Sequence, residues 1–518
     1  MTRRHPSVSA ALVLLSIGVL IAAPALAQSS TSGDSAPRRT PPAGFTECTR
    51  EDVRGPAWCG RVRVPENHET RRGRTIDLKV VILPATGRAP LPDPVVWLEG
   101  GPGVSAIKDV GWWQGSPLRA ERDLVFVDLR GTGASRPLNC DLFDRSDSTG
   151  QGVERLLGPD LFPLAGVKRC RAALERTADL RLYHNTIMMD DLDDVRAKLG
   201  YDRLNLIGGS GGTRAALVYA RRHPEHVRTM LLAGVVGTYH KMPLYFARDA
   251  QRALEGVATE CAADSLCHRH FPDVLGDARL ALARAGGNAT AEVRDPVSGT
   301  VTRVPVPPGL VAEMIRKMLY GTEGSSQLPL YMHAAAEGDF RPLVERAIRS
   351  RSYAAEGQGD GVYFSVTCAE DLPWVDRAAA TKAAAGTFLG TARLRQQLDA
   401  CAAWPRGRVP ADFAEPVRSD VPTLLVSGAL DPVTPPWQAE EVARDLRNSL
   451  HIVVPSAGHE TPLPTGESDP ELVGSECVER IEIEFVRRGS VAGLDTSCVR
   501  AIRRKGFQTS GPTSRTRS

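Results

Sequence analysis

The chain has 518 residues, of which 42% are apolar and 24% charged, a composition typical of a globular protein. That composition excludes a fibre or a wholly disordered chain, and the length allows about two to four domains, or one large domain that carries an insertion. The 64 basic and 61 acidic residues leave a net charge of +3, which is too balanced for a nucleic-acid-binding protein or a polybasic membrane protein.

The N-terminus has the pattern of a secretory signal peptide. A positively charged start precedes an apolar run over 8–23, and Ala-Leu-Ala at 25–27 supplies the small residues that a signal peptidase requires. Since a bilayer span needs about 20 apolar residues, this shorter run favours cleavage after Ala27 over an uncleaved membrane anchor. We expect a signal peptide at 1–27, a mature chain without a membrane span, and secretion or export to the periplasm.

Ten cysteines in an exported chain indicate disulfides. Their order suggests that neighbours pair, although the sequence alone leaves other connectivities open. The predicted pairs are Cys48–Cys59, Cys140–Cys170, Cys261–Cys267, Cys368–Cys401 and Cys477–Cys498. For the third pair the alternative is a zinc site that includes His268 and His270; export favours a disulfide beside two surface histidines.

Short apolar runs alternate with helical patterns in two parts of the chain. Continuous apolar runs of this kind are typical of strands buried on both faces of a parallel sheet. The alternation therefore predicts an α/β fold, with helices on both faces of a mostly parallel sheet. The predicted strands are 76–83, 95–98, 124–127, 204–207, 230–236, 423–426 and 451–454. The predicted helices include 186–199, 212–222 and 438–446.

One long interval, 238–421, breaks the alternation. It is rich in Ala and Arg, has amphipathic patterns such as 309–319, and lacks repeated strand signals. Because connections within a sheet are usually short, we expect this interval to be an inserted, mainly helical cap. The predicted division is a flexible leader at 28–44, an α/β core at 45–237 and 422–498, the cap at 238–421, and a flexible tail at 499–518.

The strongest local motif is Gly-Gly-Ser-Gly-Gly at 208–212, between a predicted strand and a predicted helix. This is the strand–turn–helix context of a G-x-S-x-G nucleophile elbow, in which side chains at Gly208 and Gly212 would collide with neighbouring backbone. Ser210 would project at the edge of the sheet, in front of a helix N-terminus. The alternatives are a plain glycine-rich turn or a phosphate loop; the lysine of a phosphate loop is missing, which disfavours nucleotide binding.

A serine nucleophile needs a base and a group that orients the base. Asp431 follows one predicted strand and His459 follows the next, in the order expected for this architecture and at the same sheet edge as Ser210. The backbone N–H groups of Gly101 and Gly211 are the candidate oxyanion donors. The loop that contains Gly101 could alternatively be a simple tight turn.

Several further motifs occur in a fixed order with the elbow. They are GGPG at 100–103, DLRGTGAS at 128–135, DLDDVR at 191–196, SGALDPVTP at 427–435 and GH at 458–459. Over about residues 45–498 this set resembles the α/β-hydrolase peptidases of the prolyl iminopeptidase and tripeptidyl aminopeptidase type. CAEDLP at 368–373 and CAAWP at 401–405 are similar to the secreted tripeptidyl-aminopeptidase branch.

The resemblance implies an α/β-hydrolase fold and a serine exopeptidase that releases short peptides or single residues from free peptide N-termini. Ser210 would be the nucleophile, His459 the general base and acid, and Asp431 the orienting carboxylate. This acyl-enzyme route requires neither a metal nor an organic cofactor. There are two alternatives. One is a secreted carboxylic-ester hydrolase with the same triad, and the other is a catalytically silent binding protein on the same scaffold.

Substrate recognition is predicted less directly. The family usually holds the substrate amine with carboxylates of the cap, which makes Glu370 a candidate; a structural ion pair beside a disulfide is the alternative. Glu99 stands where the iminopeptidases usually have His, so it would either contribute to amine recognition or pair with an arginine. Gly211 stands where the family often has Tyr or Trp. The family's preference for particular substrate side chains is therefore not transferred to this chain.

Overall fold

The computed structural model describes residues 39–140, 142, 160–295, 299–354 and 359–510. The predicted signal peptide and most of the predicted leader lie outside these residues. Among the described residues, no helix combines the length and the apolar character that crossing a membrane would require.

Nine strands form one sheet in the order β1-β2-β3-β5-β4-β6-β7-β10-β11. The first three pair antiparallel, and β5, β4, β6, β7, β10 and β11 run parallel to one another. The strands are β1 (Phe45–Cys48), β2 (Ala57–Pro65), β3 (Thr75–Leu83), β4 (Val95–Leu98), β5 (Leu124–Val127), β6 (Leu204–Gly209), β7 (Val227–Ala233), β8 (Thr290–Arg294), β9 (Val301–Pro305), β10 (Thr423–Gly428), β11 (Ser449–Val454), β12 (Leu472–Val473) and β13 (Arg503–Arg504).

Helices cover the sheet and make up most of the interval 238–421, hereafter called the cap. Every residue of β4 (VVWL) and β5 (LVFV) is buried, as their continuous apolar sequences predict. The helices are α1 (Val110–Trp113), α2 (Leu164–Leu174), α3 (Asn185–Leu199), α4 (Gly211–Arg222), α5 (Phe246–Ala263), α6 (Ser265–His270), α7 (Val274–Gly286), α8 (Pro308–Met318), α9 (Thr322–Glu337), α10 (Arg341–Ala354), α11 (Asp360–Glu370), α12 (Arg377–Ala384), α13 (Ala392–Ala403), α14 (Pro436–Ala443) and α15 (Glu476–Arg488). The predicted α/β architecture, a mostly parallel sheet with helices, is confirmed.

The interval between β7 and β10 is mainly helical and has an apolar core of its own. Residues of α5, α8 and α9 share this core with Leu430, which follows β10. The interval also contains the antiparallel hairpin β8–β9, which the sequence did not predict. Its alternating burial pattern is that of a strand with one face exposed.

The strand boundaries differ from prediction mainly at β7. The predicted strand 230–236 lies three residues too far along, because Gly234 takes a positive φ of 65° and ends the extended chain although apolar residues follow it.

The prediction of a flexible tail from 499 is wrong for its first residues. A helical turn at Ser497–Ala501 precedes β13, which pairs with β12, and both Val499 and Ile502 are buried.

The five disulfides join neighbours in sequence order. The pairs are Cys48–Cys59, Cys140–Cys170, Cys261–Cys267, Cys368–Cys401 and Cys477–Cys498. Because Cys261 and Cys267 are bonded to each other, they are not zinc ligands, and the adjacent His268 and His270 are exposed. The disulfides fit the predicted oxidising compartment.

Helix α15 buries a carboxyl group among apolar residues. Glu482 is fully buried beside Ile481 and Phe485, and neither of its carboxyl oxygens has a hydrogen-bond partner within the described part of the chain. Burial, helped by the charge of Glu479, raises the pKa of Glu482 well above its ordinary value. The folded protein therefore keeps a proton that the unfolded chain loses above about pH 4.5.

We expect Glu482→Gln to stabilise the protein at pH 8 and to have a smaller effect at pH 5. Between the unfolded and the folded pKa, the folded state binds more protons, so wild-type stability falls as the pH rises, and the neutral amide removes that loss. Thermal midpoints at both pH values measure the effect. Glu484→Gln, a partly exposed neighbour on α15, is the matched control and should show no such pH-dependent gain. Equal midpoint shifts at the two pH values would contradict the assignment.

Candidate active site

Ser210 stands at the sharp turn between β6 and α4. Its backbone has φ 51° and ψ −121°, a conformation rare for a residue with a side chain. A Cβ at Gly208 would lie 2.6 Å from the carbonyl oxygen of Gly212, and one at Gly212 would lie 2.0 Å from that of Leu98. Both glycines are therefore required by close backbone approach, and the turn has the geometry of a nucleophile elbow.

Asp431 lies on the loop after β10 and is completely buried. One carboxylate oxygen accepts the backbone N–H groups of Val433 at 2.7 Å and Thr434 at 2.8 Å; the other accepts the Thr434 hydroxyl at 2.7 Å. That second oxygen also lies 2.8 Å from Nδ1 of His459. Burial alone would raise the pKa of Asp431, but His459 and these donors outweigh it and hold the pKa below its ordinary value.

His459 lies on the loop after β11. Burial lowers its pKa, but the adjacent charge and hydrogen bond of Asp431 outweigh this effect and hold the pKa above its ordinary value. The ring packs edge-on against Tyr320, with 4.9 Å between ring centroids. With Nδ1 directed to Asp431, the other ring nitrogen is left for proton transfer.

Ser210 and His459 meet at one cavity. Ser210 donates its backbone N–H to the carbonyl of Ala233 at 2.8 Å, and a Cβ on the next residue, Gly234, would lie 3.1 Å from Cε1 of His459. Both residues line a cavity of about 930 Å³ that opens between the core and the cap. The structure thus brings the predicted serine, histidine and aspartate to one edge of the sheet.

The predicted oxyanion loop packs directly on the elbow. A Cβ on Gly100 would lie 2.8 Å from Cβ of Ser210, and a Cβ on Gly211 would lie 3.4 Å from the backbone nitrogen of Gly101. The peptide groups of Gly101 and Gly211 are therefore neighbours beside the serine. Two N–H donors in this position suit a tetrahedral oxyanion.

A smaller recess of about 90 Å³ continues from Ser210 beneath the cap. Its walls combine apolar side chains with a few polar ones from both core and cap. The recess is lined among others by Gly101, Asn185, Ser210, Gly211, Arg214, Val236, Met242, Phe246, Tyr363, Val366, Thr367, Asp371 and Arg393.

Glu370 is held behind the wall of the recess. The side chain is fully buried, and its two oxygens accept the backbone N–H and the side-chain amide of Asn185, both at 2.8 Å. Arg214 lies 3.6 Å away, which matches the structural alternative. Burial raises the pKa of Glu370 to about 7. The neighbouring Asp371, which the sequence analysis did not single out, lines the recess and pairs with Arg214 at 2.9 Å.

Glu99 lies in the wall of the larger cavity, next to the oxyanion loop. The indole N–H of Trp97 lies 3.0 Å from carboxyl oxygens of both Glu99 and Asp109. Burial, together with the carboxyl of Asp109, raises the pKa of Glu99 to about 8. Glu99 therefore shares its environment with another acid rather than with an arginine.

One group of side chains resembles a metal site. Asp193, His223 and His226 bring three possible ligand atoms within 4.8 Å of one another. One oxygen of Asp193, however, is already 2.7 Å from Arg196, 2.9 Å from Tyr219 and 2.8 Å from His226. Because this oxygen is saturated by hydrogen bonds, the group is a polar network that joins α3, α4 and the following turn.

Two family models match separate parts of the chain: one described as alpha/beta hydrolase fold at 93–267, and one described as TAP-like protein at 386–498. The serine protease Hip1 of Mycobacterium tuberculosis is 27% identical over 464 residues, which cover 80% of this chain and 84% of that protein. The tripeptidyl aminopeptidase of Streptomyces coelicolor is 27% identical over 475 residues, covering 86% and 83%. The proline iminopeptidase of Neisseria meningitidis is 29% identical over 143 residues, covering 27% and 32%.

The sheet topology and the family-model match over 93–267 give the chain the α/β-hydrolase fold. Within this class it is a serine hydrolase of the peptidase type, similar to the TAP-like proteins. The resemblance that the sequence motifs indicated is thereby confirmed.

Thr434 is a site residue that the sequence analysis missed. Its hydroxyl lies 2.7 Å from Asp431 and 3.0 Å from Nδ1 of His459, so it braces the contact between them. The only sequence signal was its position three residues after the predicted aspartate, inside the SGALDPVTP motif.

We expect Thr434→Val to lower kcat about tenfold, because the buried carboxylate of Asp431 loses a hydrogen bond and the imidazole of His459 loses its contact with the hydroxyl. Thr434→Ser keeps the hydroxyl and should retain most of the activity. Steady-state kinetics on a peptide substrate would compare the two variants at equal folded fraction. A Val variant with the kcat of the Ser variant would show that the hydroxyl has no positioning role.

Proposed function

We propose that this chain is an exported serine aminopeptidase that releases short peptides or single residues from free N-termini. The observation that carries the proposal is the recess behind Ser210, in whose wall Asp371 provides a carboxylate for a terminal amine. A recess of only about 90 Å³ suits a chain end better than the middle of a polypeptide. The similarity to proteins named tripeptidyl aminopeptidase and proline iminopeptidase supports the same substrate class.

The proposed reaction follows from the arrangement of the three side chains. His459 takes the hydroxyl proton of Ser210 while the serine oxygen attacks the scissile carbonyl, and the N–H groups of Gly101 and Gly211 bind the resulting oxyanion. His459 then gives the proton to the leaving amine as the C–N bond breaks. Water, deprotonated by the same imidazole, hydrolyses the acyl-enzyme and restores the serine. Asp431 stabilises the imidazolium in both steps.

The five disulfides support export, since such bonds persist in oxidising compartments. The N-terminal pattern at 1–27 supports the same proposal from sequence.

An ester hydrolase is the second candidate. Val236, Met242, Phe246 and Val366 give the recess an apolar lining that would also accept an acyl chain. The chemistry is shared, so amine recognition separates the two functions.

We expect Ser210→Ala to abolish turnover and labelling by a fluorophosphonate without changing the fold, because the nucleophile is lost while the backbone turn remains. Circular dichroism and thermal midpoints would check the fold. Residual hydrolysis above the uncatalysed rate in a folded Ser210→Ala protein would disprove the assignment.

We expect blocking the substrate amine to reduce kcat/KM by at least a hundredfold, since an acetylated amine can no longer pair with a carboxylate. The measurement compares matched peptides with free and acetylated N-termini, analysed by mass spectrometry. Equal rates for the two would reject the exopeptidase, and faster cleavage of simple esters would favour the second candidate.

We expect kcat/KM to fall with decreasing pH through a pKa above 6.5, because only neutral His459 accepts the serine proton and its pKa is raised. Asp431→Asn should lower kcat by about 10⁴-fold. It should also move the acidic limb of the kcat/KM profile to lower pH, since the imidazolium loses its charge partner. Asp420→Asn, an exposed carboxylate just before β10, is the control. A limb that stays in place in Asp431→Asn would contradict the proposed pairing.

A further inference from the structure

Two arginines of the cap line the active-site cavity. Arg316 belongs to α8 and Arg393 to α13, and both line the larger cavity together with Ser210 and His459. Arg393 also lines the recess behind Ser210. The reaction proposed above uses neither guanidinium group.

The two guanidinium groups share one carboxylate, Glu313. Nε and Nη2 of Arg316 donate to its two oxygens, the former at 2.9 Å, whereas Nη1 of Arg393 remains 3.8 Å away. Burial opposes ionisation of Glu313, but the two arginines outweigh it and hold the pKa at about 2, so the group is charged. These three side chains, two cations and one anion, together carry a net positive charge.

Arg393 uses little of its hydrogen-bonding capacity within the described residues. Nη2 makes a 3.3 Å contact with the hydroxyl of Tyr363, and Nε is buried without a partner. The guanidinium otherwise packs on the rings of Phe246 and Phe162, at 5.2 and 6.0 Å. The Arg393 side chain is 16% exposed, so a ligand in the recess can offer acceptors to its terminal nitrogens.

The recess behind Ser210 contains a second arginine, Arg214, whose charge is balanced. There Arg214 is fully engaged, with Asp371 at 2.9 Å and the backbone carbonyls of His240 and Gly237 at 2.6 and 3.3 Å. Asp371 and Glu370 offset its charge. Of the charged side chains that line the recess, Arg214 and Asp371 are therefore paired with each other, whereas the guanidinium of Arg393 is only partly balanced, by Glu313 at 3.8 Å.

We propose that Arg393 binds a carboxylate of the substrate, so that peptides with a carboxylate close to the scissile bond are preferred. A planar guanidinium matches a carboxylate with two parallel hydrogen bonds, and Arg316 adds to the positive potential. The carboxylate comes from an acidic side chain or from the free C-terminus of a short peptide. The inference takes the cleavage reaction from the proposed function, but the preference for a carboxylate does not depend on that function.

The test uses matched substrates that differ only in charge. One set places Glu or Gln at each position on either side of the cleaved bond; a second set compares a free C-terminus with its amide. For wild type we expect at least one acid member to exceed its neutral partner tenfold in kcat/KM. The set that shows the preference identifies the source of the carboxylate, and equal rates in every pair would overturn the proposal.

The variant Arg393→Gln should reduce that acid-to-neutral ratio to near one, and Arg393→Lys, which keeps the charge but not the planar fork, should give an intermediate ratio. Arg395→Gln, an exposed arginine two residues along α13, is the matched control and should keep the wild-type ratio. An undiminished ratio in a folded Arg393→Gln protein would show that this arginine only packs against the aromatic rings.

Failure of the proposed exopeptidase can be told apart from failure of this inference. If acetylated peptides are cleaved as fast as free ones, the same acid and neutral pairs in the acetylated series still report on Arg393. Calorimetry with Ser210→Ala measures peptide binding without turnover. A tripeptide that carries the preferred carboxylate should bind about tenfold more tightly than the matched neutral tripeptide. Adding Arg393→Gln to the Ser210→Ala protein should remove this difference in affinity. Equal affinities in the Ser210→Ala protein would count against the carboxylate site.

Discussion

An ionised carboxylate in the core, that of Asp431, fixes the geometry of the site. Taking such a charge out of water costs several kcal/mol unless the group is paired and hydrogen-bonded. Two backbone N–H groups, the hydroxyl of Thr434 and the imidazole of His459 supply those contacts. The loop after β10 must therefore curl around the carboxylate, and the orientation of the imidazole follows from that requirement.

The cap is joined to this core by directional polar contacts as well as by apolar packing. Arg214, on the helix that follows the nucleophile, reaches Asp371 of the cap, and Asn185 of α3 holds Glu370. From the C-terminal segment, Arg504 contacts Glu260 in α5 and the carbonyl of Ser456, three residues before His459. Because such contacts allow few orientations, they fix the position of the cap relative to the loops that carry Ser210 and His459.

The chemistry of the site could be predicted from sequence because each part is encoded locally. Gly208 is required by a backbone contact within the turn itself, Asp431 follows a short buried strand, and His459 follows the next strand along the chain. Strands β4 and β5 were predicted at their observed bounds for the same reason. Strands β1 and β2 were missed because the prediction relied on continuous apolar runs: β1 buries only Phe45, and the buried valines of β2 alternate with exposed arginines.

The substrate walls could not be predicted in the same way. Glu370 and Asp371 are consecutive acids at the end of α11, and only the packing of the cap decides that the second one lines the recess. Arg316 and Arg393 approach one carboxylate from two helices that are distant in sequence. In the proposed reaction the motifs of the core supply the reacting groups, whereas contacts between cap helices set the charge around them, so the two can vary independently. The cap, rather than the triad, is therefore where selectivity within this architecture has to be sought.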